Sequence, residues 1–395
     1  MQTAYHLCVI GAGASGIAAA LSVLKEKRTV VLIDAKIEPA QKVLISGGGK
    51  CNFSNKNIRP ERYVSQNPHF CKSALARLPV ADVLKFCREN NLSYEEREDG
   101  KLFASSAKNV RDLFMCLLTN AGARFVFGRK ISDVFRKEGM FEICCENQTV
   151  FAENLLIATG GLSYPAIGAS DFAFRLAKKF NINVVPLAPA LTPMFFQEKD
   201  ALFFKDLSGV SCNVSIKSGK TETTGALLFT HKGISGPAVL QTSLRARENQ
   251  PVKIDFLPQI NALTFVKTQK SLFPKRLLST VLSDVVPHRF AMRLAENFAL
   301  EKPLGELSDK TLAKAIESVK NYEITPVFAG YEKAEVTKGG VDTAFLSSQT
   351  METTAQKGLF FAGECLDVTG EIGGFNLHWA FASGRAAGLG ALQNG

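Results

Sequence analysis

The sequence predicts an α/β fold in which a doubly wound domain of parallel strands is assembled from both ends of the chain and interrupted by an insert of different texture. Three observations predict it. A strand, a glycine turn, a helix and a second strand follow one another before Asp34. Two distant apolar runs also end in glycine, Leu155 to Ala158 before Thr159-Gly160-Gly161 and Gly358 to Ala362 before Gly363-Glu364. Between them, from about Pro186 to Lys333, alternating segments replace the fully apolar ones.

Leu7 to Ile10 and Thr29 to Ile33 are short runs apolar on nearly every residue, which suits parallel strands covered on both faces by crossover helices; Ala14 to Lys25 suits the helix between them. The turn reads Gly11-x-Gly13-x-x-Gly16. Gly11 can make the tight turn, Gly13 can admit a pyrophosphate, and Gly16 lets helix and strand pack closely. Ala12, Ala14 and Ser15 keep the rest of the loop small, so that phosphates can meet the backbone N–H groups and the positive end of the helix dipole. Asp34, followed by Ala35, closes the second strand about 20 residues beyond the loop, where a carboxylate accepts from a ribose diol. An acid there argues against a 2′-phosphate, and so against NADP in this site. Ligands in open α/β sheets lie beyond the carboxyl ends of the strands, so the three glycine-terminated runs predict one site built from distant segments.

In the insert, VSCNVSIKSG and ALLFTHKG alternate as antiparallel strands do, while Lys270 to Leu300 and Ser308 to Lys320 read as helical. Pro186, Pro189 and Pro193 stand at its start and Pro326 with Gly330 near its end, as expected where a chain crosses between domains. The expected boundaries are residues 1–187 with 331–395 for the first domain and 188–330 for the insert, mostly β over 188–263 and mostly helical over 264–330.

At 395 residues the chain exceeds one ordinary core, and 46% hydrophobic with 21% charged residues excludes a disordered, collagen-like or disulfide-stapled protein. The formal charge of +10 favours anionic partners, although no long basic run exists. Nine cysteines form no C-x-x-C pair and no zinc spacing, so neither a dithiol couple nor a metal is expected. The amino-terminal apolar run lacks a basic leader and opens into the glycine turn, and no stretch reaches the roughly 18 apolar residues of a membrane span. A cytoplasmic protein with reduced thiols and no membrane partner is the expectation.

The segments KVLISGGGKCNFSN (42–55), LLIATGGLSYP (155–165), FTHKGISGPAVL (229–240), AEVTKGGV (334–341) and GLFFAGECLDVTGEIGGFNLHWA (358–380), together with the glycine turn, resemble the bacterial BaiN-like, aminoacetone-oxidase-like FAD flavoproteins over nearly the whole chain. The resemblance implies a Rossmann-type FAD-binding domain of the two-dinucleotide-binding-domain flavoprotein type, with an inserted β-barrel-like plus helical domain. It implies that Glu364, after Gly363, holds the ribityl chain. Gly373-Gly374-Phe375-Asn376 would start a helix facing the flavin pyrimidine carbonyl, where its dipole stabilises a reduced flavin. Lys42, Ser46, Gly47, Gly48, Asn52, Ala158, Thr159 and Gly160 would surround the cofactor, and Ile131 would offer a backbone contact to adenine. Two departures stand out: Lys50 where many relatives carry Arg, and Ile167-Gly168-Ala169-Ser170-Asp171 where they carry a longer glycine-rich turn. No second G-x-G-x-x-G follows a later strand, so NAD(P)H, if used, binds transiently.

Flavin chemistry needs no protein nucleophile, which leaves the catalytic residues open. His231, beside Lys232, and Lys50 are candidates for handling a proton or an anion, with loop architecture as the alternative for each. Cys51 lacks a partner thiol, His378 reads as a packed histidine inside a helix, and Trp379 and Phe381 read as core. The expected function is an FAD-dependent oxidoreductase moving a hydride or electron pair between a small organic substrate and oxygen or NAD(P)H. The expected partner is a small molecule and not a nucleic acid; two alternatives stand beside this reading, a flavin-dependent RNA-modifying enzyme, for which the positive balance would supply phosphate contacts, and a non-enzymatic flavin redox carrier. Substrate, electron acceptor and oligomeric state are left open.

Overall fold

The computed structural model describes residues 4–394. The chain forms two compact units, one running to Pro189 and resuming at Glu335, the other spanning Ala190–Ala334.

The first unit is built on a seven-stranded sheet. Five of its strands are mutually parallel, in the spatial order Arg124–Phe127, Val30–Asp34 (β2), Tyr5–Ile10 (β1), Gln148–Ile157 and Leu359–Phe361. Leu7, Val9, Val31, Leu32, Leu155 and Leu156 are all fully buried, which is why these runs are apolar on both faces. Along the sheet the strands come third, second, first, fourth and fifth in the chain. The order reverses between β1 and Gln148–Ile157, and that switch point is where such sheets bind ligands.

Gln148–Ile157 extends well before its apolar end. Its first half, with exposed Gln148 and Thr149, pairs antiparallel with Met140–Cys145, which pairs in turn with Ile131–Lys137. Val184–Ala190 pairs with Val336–Val341 in a separate two-stranded ladder. Pro186 and Pro189 are therefore strand residues, in a ladder with open edges that proline tolerates.

The carboxy-terminal helix, Phe375–Ala391, packs on the helix after the glycine turn, Ala14–Lys25 (α1), through small residues. A Cβ on Gly384 would sit 2.1 Å from the Ser15 carbonyl oxygen, and one on Gly388 would sit 2.5 Å from that of Ala19. The two backbones touch, and no larger residue fits.

In the second unit the strands run Tyr322–Ile324, Val252–Asp255, Ser211–Ser218, Thr221–Phe229, Gly233–Ser235, Met194–Phe195 and Val327–Phe328 across one antiparallel sheet. The first and last strands of that path are separated in the chain only by Thr325 and Pro326, so the sheet curls into a barrel-like form. The alternating runs become the Ser211–Ser218 and Thr221–Phe229 hairpin. The stretch expected as helical from Lys270 to Leu300 is divided among three helices, Ala262–Leu272, Leu278–Leu282 and His288–Asn297, interrupted at Pro274 and Pro287, which cannot continue a helix. The first of them begins earlier than expected because Asn261 caps it, the side chain accepting from Thr264 N–H at 3.2 Å. Ser308 likewise caps Asp309–Lys320. Pro237–Arg245 is helical inside the mostly β half, against the hairpin. Phe204, Phe229, Phe256 and Phe290 fill this unit's core, with Phe256 and Phe290 ring centres 4.9 Å apart. Among the described residues no helix is long and apolar enough to cross a membrane.

Gly384→Val drives a branched side chain into the Ser15 backbone. It is expected to cost about 1–3 kcal/mol, the usual range for overpacking, read as a lower urea midpoint. An unchanged midpoint would mean that the helices do not touch as described.

Candidate cofactor site at the strand ends

The ladder registers set Ile10 opposite Ile157 and Ile157 opposite Phe361, so three strands end at one level. The chain leaves each strand in the same direction, at Gly11, at Ala158-Thr159-Gly160 and at Ala362-Gly363. Ala158 N–H donates to the Ile10 carbonyl at 2.7 Å, and Ala362 N–H to that of Ile157 at 3.1 Å. Gly11, at φ 106°, has room for no Cβ, which would lie 2.4 Å from the Ala158 oxygen. Gly13 differs: its φ is −86° and no atom lies within 4 Å of the position a Cβ would take, so open space faces the start of α1. The first turn of α1 carries no acid, and its dipole is free to meet an anion.

Asp34 closes β2 with its carboxylate turned back onto the loop. It accepts from Ala12 N–H and from Lys36 N–H, each at 2.8 Å. Burial raises the Asp34 pKa above the usual carboxylate value, against the lowering by those two bonds. Two bonds leave acceptor capacity for hydroxyl donors. Ala35, just beyond, is exposed. Ile131 begins the Ile131–Lys137 strand two residues after Arg129, whose N–H reaches the Asp34 carbonyl at 3.3 Å.

Glu364 is the centre of a polar cluster. One carboxylate oxygen accepts from Ser163 Oγ at 2.9 Å and Thr337 N–H at 3.0 Å, the other from Lys42 Nζ, which also donates to Ser163 Oγ at 2.7 Å. Thr337 Oγ1 in turn accepts from Leu162 N–H at 2.7 Å and Ser163 N–H at 3.1 Å. Gly161 is glycine because a Cβ would meet both Thr337 Oγ1 and Glu364 Oε1 within 3 Å. Ser163 and Thr337 are not among the residues singled out from sequence. The only signal for them is membership of the LSYP and EVTKG segments.

Ser46 ends the short helix Gln41–Ile45, and its Oγ donates to the Val43 carbonyl. Gly47, Gly48 and Gly49 then take left-handed φ values of 58°, 65° and 83° in succession. Consecutive N–H groups in such a turn form an anion-binding concavity. Asn52, with its amide oxygen turned toward Gly374 N–H at 3.1 Å, and Asn55, donating to the Gly373 carbonyl at 2.9 Å, pin the glycine pair that starts the carboxy-terminal helix. Gly374 caps that helix at φ 97°, where a Cβ would lie 2.2 Å from the Ser54 oxygen. Phe375 is buried, and the Asn376 side chain is spent on both backbone groups of Gly370, so only backbone atoms of this turn are offered to a ligand.

His378 is fully buried. Its Nδ1 faces Ser54 Oγ at 2.8 Å and its Nε2 the Leu78 carbonyl at 3.0 Å, the neutral tautomer with hydrogen on Nε2. Burial pulls its pKa down to about 4. Trp379 donates to the Gly363 carbonyl from the core, and Phe381 packs on Phe114. Cys51 is buried and its thiol is pushed up to about 12. Lys50 is half-exposed, with only a loose pair to Glu95 at 3.7 Å. His231 is exposed in the turn of the Thr221–Phe229 and Gly233–Ser235 hairpin, in the second unit, whereas all the other residues singled out lie in the first.

The parallel sheet, the glycine turn under a helix and the acid closing β2 define a dinucleotide-binding flavoprotein fold of the Rossmann type. A family profile described as "HI0933-like protein Rossmann domain" matches residues 5–390, and the chain belongs to that family of FAD-dependent oxidoreductases. It is 38% identical over 390 residues to a "Ribosomal RNA dihydrouridine synthase" of Haemophilus influenzae, covering 96% of this chain and 97% of that one. A protein of the same description from Escherichia coli is 37% identical, covering 97% and 96%. A "3-dehydro-bile acid delta(4,6)-reductase" of Clostridium scindens is 27% identical, covering 98% of each chain.

The residues present fit FAD. Thr159 Oγ1 is buried with no hydrogen-bond partner at the mouth of the strand ends, and Gly13 and Gly160 leave space where any side chain would intrude. A buried hydroxyl left unpaired costs stability unless a ligand meets it.

Gly13→Asp should fold, since its Cβ meets nothing, yet it puts a carboxylate where the pyrophosphate is expected. A folded but colourless protein is the anticipated product, and full flavin occupancy would remove the pyrophosphate from this loop. His378 supplies a second measurement. Its folded pKa of about 4 lies below the ordinary 6.5, so the unfolded state binds the extra proton and stability falls as pH drops from 6.5 toward 4. The loss is roughly 3 kcal/mol. His378→Gln should flatten that acid limb of the urea-midpoint profile, and an unchanged slope would refute the assignment.

Proposed function

We propose that the protein is a flavin-dependent reductase that saturates the C5–C6 double bond of a uridine in ribosomal RNA. The observation that carries this reading is the end-to-end likeness, at 37–38% identity, to two chains described as ribosomal RNA dihydrouridine synthases. The more distant relative supports the reaction class. Its description names a reductase of double bonds in a 3-dehydro bile acid, and in both cases the alkene is conjugated to a carbonyl. Hydride adds at the β-carbon of such an alkene and a proton at the α-carbon.

FAD, reduced by NAD(P)H, would supply the hydride from N5. The chain's own residues bind and orient. The small-residue turn from Gly11 to Gly16 and the start of α1 receive the pyrophosphate, with Ala12, Ala14 and Ser15 keeping it clear of side chains. Asp34 takes the ribose diol, and the backbone at Ile131 meets the adenine. Ala158, Thr159 and Gly160 line the switch point. Glu364 keeps about one acceptor site for a ribityl hydroxyl, its other sites being fixed by Lys42, Ser163 and Thr337. The turn of Ser46, Gly47 and Gly48, tied through Asn52 to Gly374, frames the flavin end together with Gly363, Gly373, Phe375 and Asn376. Lys50 and His231 are left without an assigned step.

A second reading, reduction of a small cyclic enone by the same chemistry, draws on the bile-acid relative alone. The test is incubation of the purified protein with NADPH and unmodified transcripts of the two large ribosomal RNAs, followed by digestion and mass spectrometry of nucleosides. Dihydrouridine at one or a few positions is expected, with Gly13→Asp inactive. Reduction of cyclohexenone without any dihydrouridine would replace the substrate but keep the reductase. NADPH oxidation that consumes only oxygen would overturn both.

A further inference from the structure

The turn after Ser163 belongs to a signature segment, yet only Ser163 and the glycines before it take part in the cluster around Glu364. It carries Ile167-Gly168-Ala169-Ser170-Asp171, where the resemblance implies a longer glycine-rich turn. The turn is fixed at several points. Ser163 Oγ donates to Glu364 at 2.9 Å, the Tyr164 hydroxyl donates to Glu335 Oε2 at 3.0 Å, and Gly168 N–H donates to the Pro165 carbonyl at 3.0 Å. Tyr164 and Gly168 take left-handed φ values of 59° and 102°.

Across this turn lies the side chain of Lys36. A Cβ on Gly168 would stand 2.5 Å from Lys36 Cε, 3.2 Å from its Cγ and 3.4 Å from its Cδ, so the lysine stem rests on bare backbone. The Lys36 backbone is held from two sides. Its N–H donates to Asp34 Oδ1 at 2.8 Å, and its carbonyl accepts from Gly128 N–H at 3.1 Å. A side chain anchored at its root and seated along its stem has given up rotamer freedom that a surface lysine keeps, and fixing its head on a ligand costs correspondingly less.

The ammonium at the end of that stem makes no hydrogen bond and no ion pair among the described residues. The acids of the adjoining segments are met elsewhere: Asp34 by two N–H groups, Glu38 by Gln41 Nε2 at 3.3 Å, Asp171 by Arg175 at 2.9 Å and Glu335 by Tyr164. What selects an anion here is the place where the lysine is held. Asp34 Oδ2 accepts from Ala12 N–H and Oδ1 from Lys36 N–H, both at 2.8 Å, so one carboxylate joins Lys36 to the glycine turn. Backbone N–H groups and the positive end of α1 face a ligand at that turn. An ammonium beside them adds charge of the same sign, and a phosphate that meets both is held by charge-assisted bonds from each.

We propose that Lys36, seated on Gly168, is a phosphate ligand for the adenosine diphosphate half of the cofactor, with the turn around Gly168 serving as its seat. The inference rests on the reading of the Gly11–Gly16 turn as an FAD site. It adds a positioned cation to a phosphate site otherwise made of backbone groups, and it gives the departure at residues 167–171 a role.

The experiment titrates the full chain, freed of flavin, with FAD and with ADP in a calorimeter at low and at high salt. Three variants are compared with the parent: Lys36→Met keeps the stem and removes the charge, Lys36→Arg keeps the charge, and Lys36→Ala removes both. Because Lys36 is exposed, all three should keep the parent's urea midpoint. Lys36→Met and Lys36→Ala should bind FAD and ADP roughly tenfold more weakly at low salt, with the gap narrowing at high salt, and Lys36→Arg should bind within about twofold of the parent. If the parent binds both ligands and Lys36→Met binds them equally well, the phosphate contact is wrong and the cofactor reading stands; a loss confined to Lys36→Ala would then make the lysine a packing residue. Weaker FAD binding with ADP binding unchanged would set the ammonium against the flavin half and overturn the proposal too. If the parent binds neither FAD nor ADP, the cofactor reading falls and this proposal with it.

Discussion

The parallel ladder that levels Ile10, Ile157 and Phe361 is the constraint on which the rest of the first unit depends. Once three strands end together, three chain reversals must share one small volume, and glycine becomes obligatory where they cross. Gly11 admits the Ala158 carbonyl, and Gly16 admits that of Gly11, which a Cβ would approach to 2.0 Å. Gly363, at φ 81°, clears Ser15 Oγ. The helix contact through Gly384 and Gly388 is the same requirement one layer out. It holds α1 against the carboxy-terminal helix, and so fixes the direction in which the α1 dipole points.

The parts of this arrangement that were legible in the sequence are those written in local pattern. Fully apolar runs signalled buried parallel strands, and Gly11-x-Gly13-x-x-Gly16 with Asp34 signalled the turn and the acid, because each depends on neighbours in the chain. What escaped was non-local or masked by polarity. The front half of Gln148–Ile157 alternates toward solvent and does not announce a central strand. Thr337 acts through a backbone N–H and a hydroxyl that reach Glu364, Leu162 and Ser163 from distant segments, and nothing in its immediate sequence marks it. Pro274 and Pro287 were readable as breaks, yet the apolar periodicity on either side hid the division of the helix. The side chains of His231 and Lys50 drew attention by chemical type alone; Lys50 is half-exposed, and His231 is exposed in a turn of the second unit.

Glu364 shows how the site balances its charges. A carboxylate at a strand end costs free energy unless its oxygens are met, and here Lys42 supplies the counter-charge while Ser163 and Thr337 supply the remaining donors. Those partners come from the helix Gln41–Ile45, the loop after Gln148–Ile157 and the strand Val336–Val341. The cluster therefore ties three of the signature segments to one side chain. A lysine so engaged serves as an anchor, and the Lys42–Glu364 pair gives the segments a common register that backbone pairing alone does not supply.

Commitments of this kind also limit where bond-making can occur in the first unit. Its buried thiols are poor nucleophiles: burial pushes Cys51 and Cys365 to about 12 and Cys71 to about 11. His378 is neutral and bonded at both nitrogens, and Asn52, Asn55 and Asn376 are spent on backbone groups. At the strand ends the buried polar atom left unmet is Thr159 Oγ1, and the space left open lies beside Gly13 and Gly160. A site whose side chains are committed to one another, with one buried hydroxyl unmet and open space beside two glycines, is organised to hold and orient a ligand. Such a unit suits a fold whose redox chemistry is carried by a bound cofactor, with the protein supplying the geometry in which it is presented.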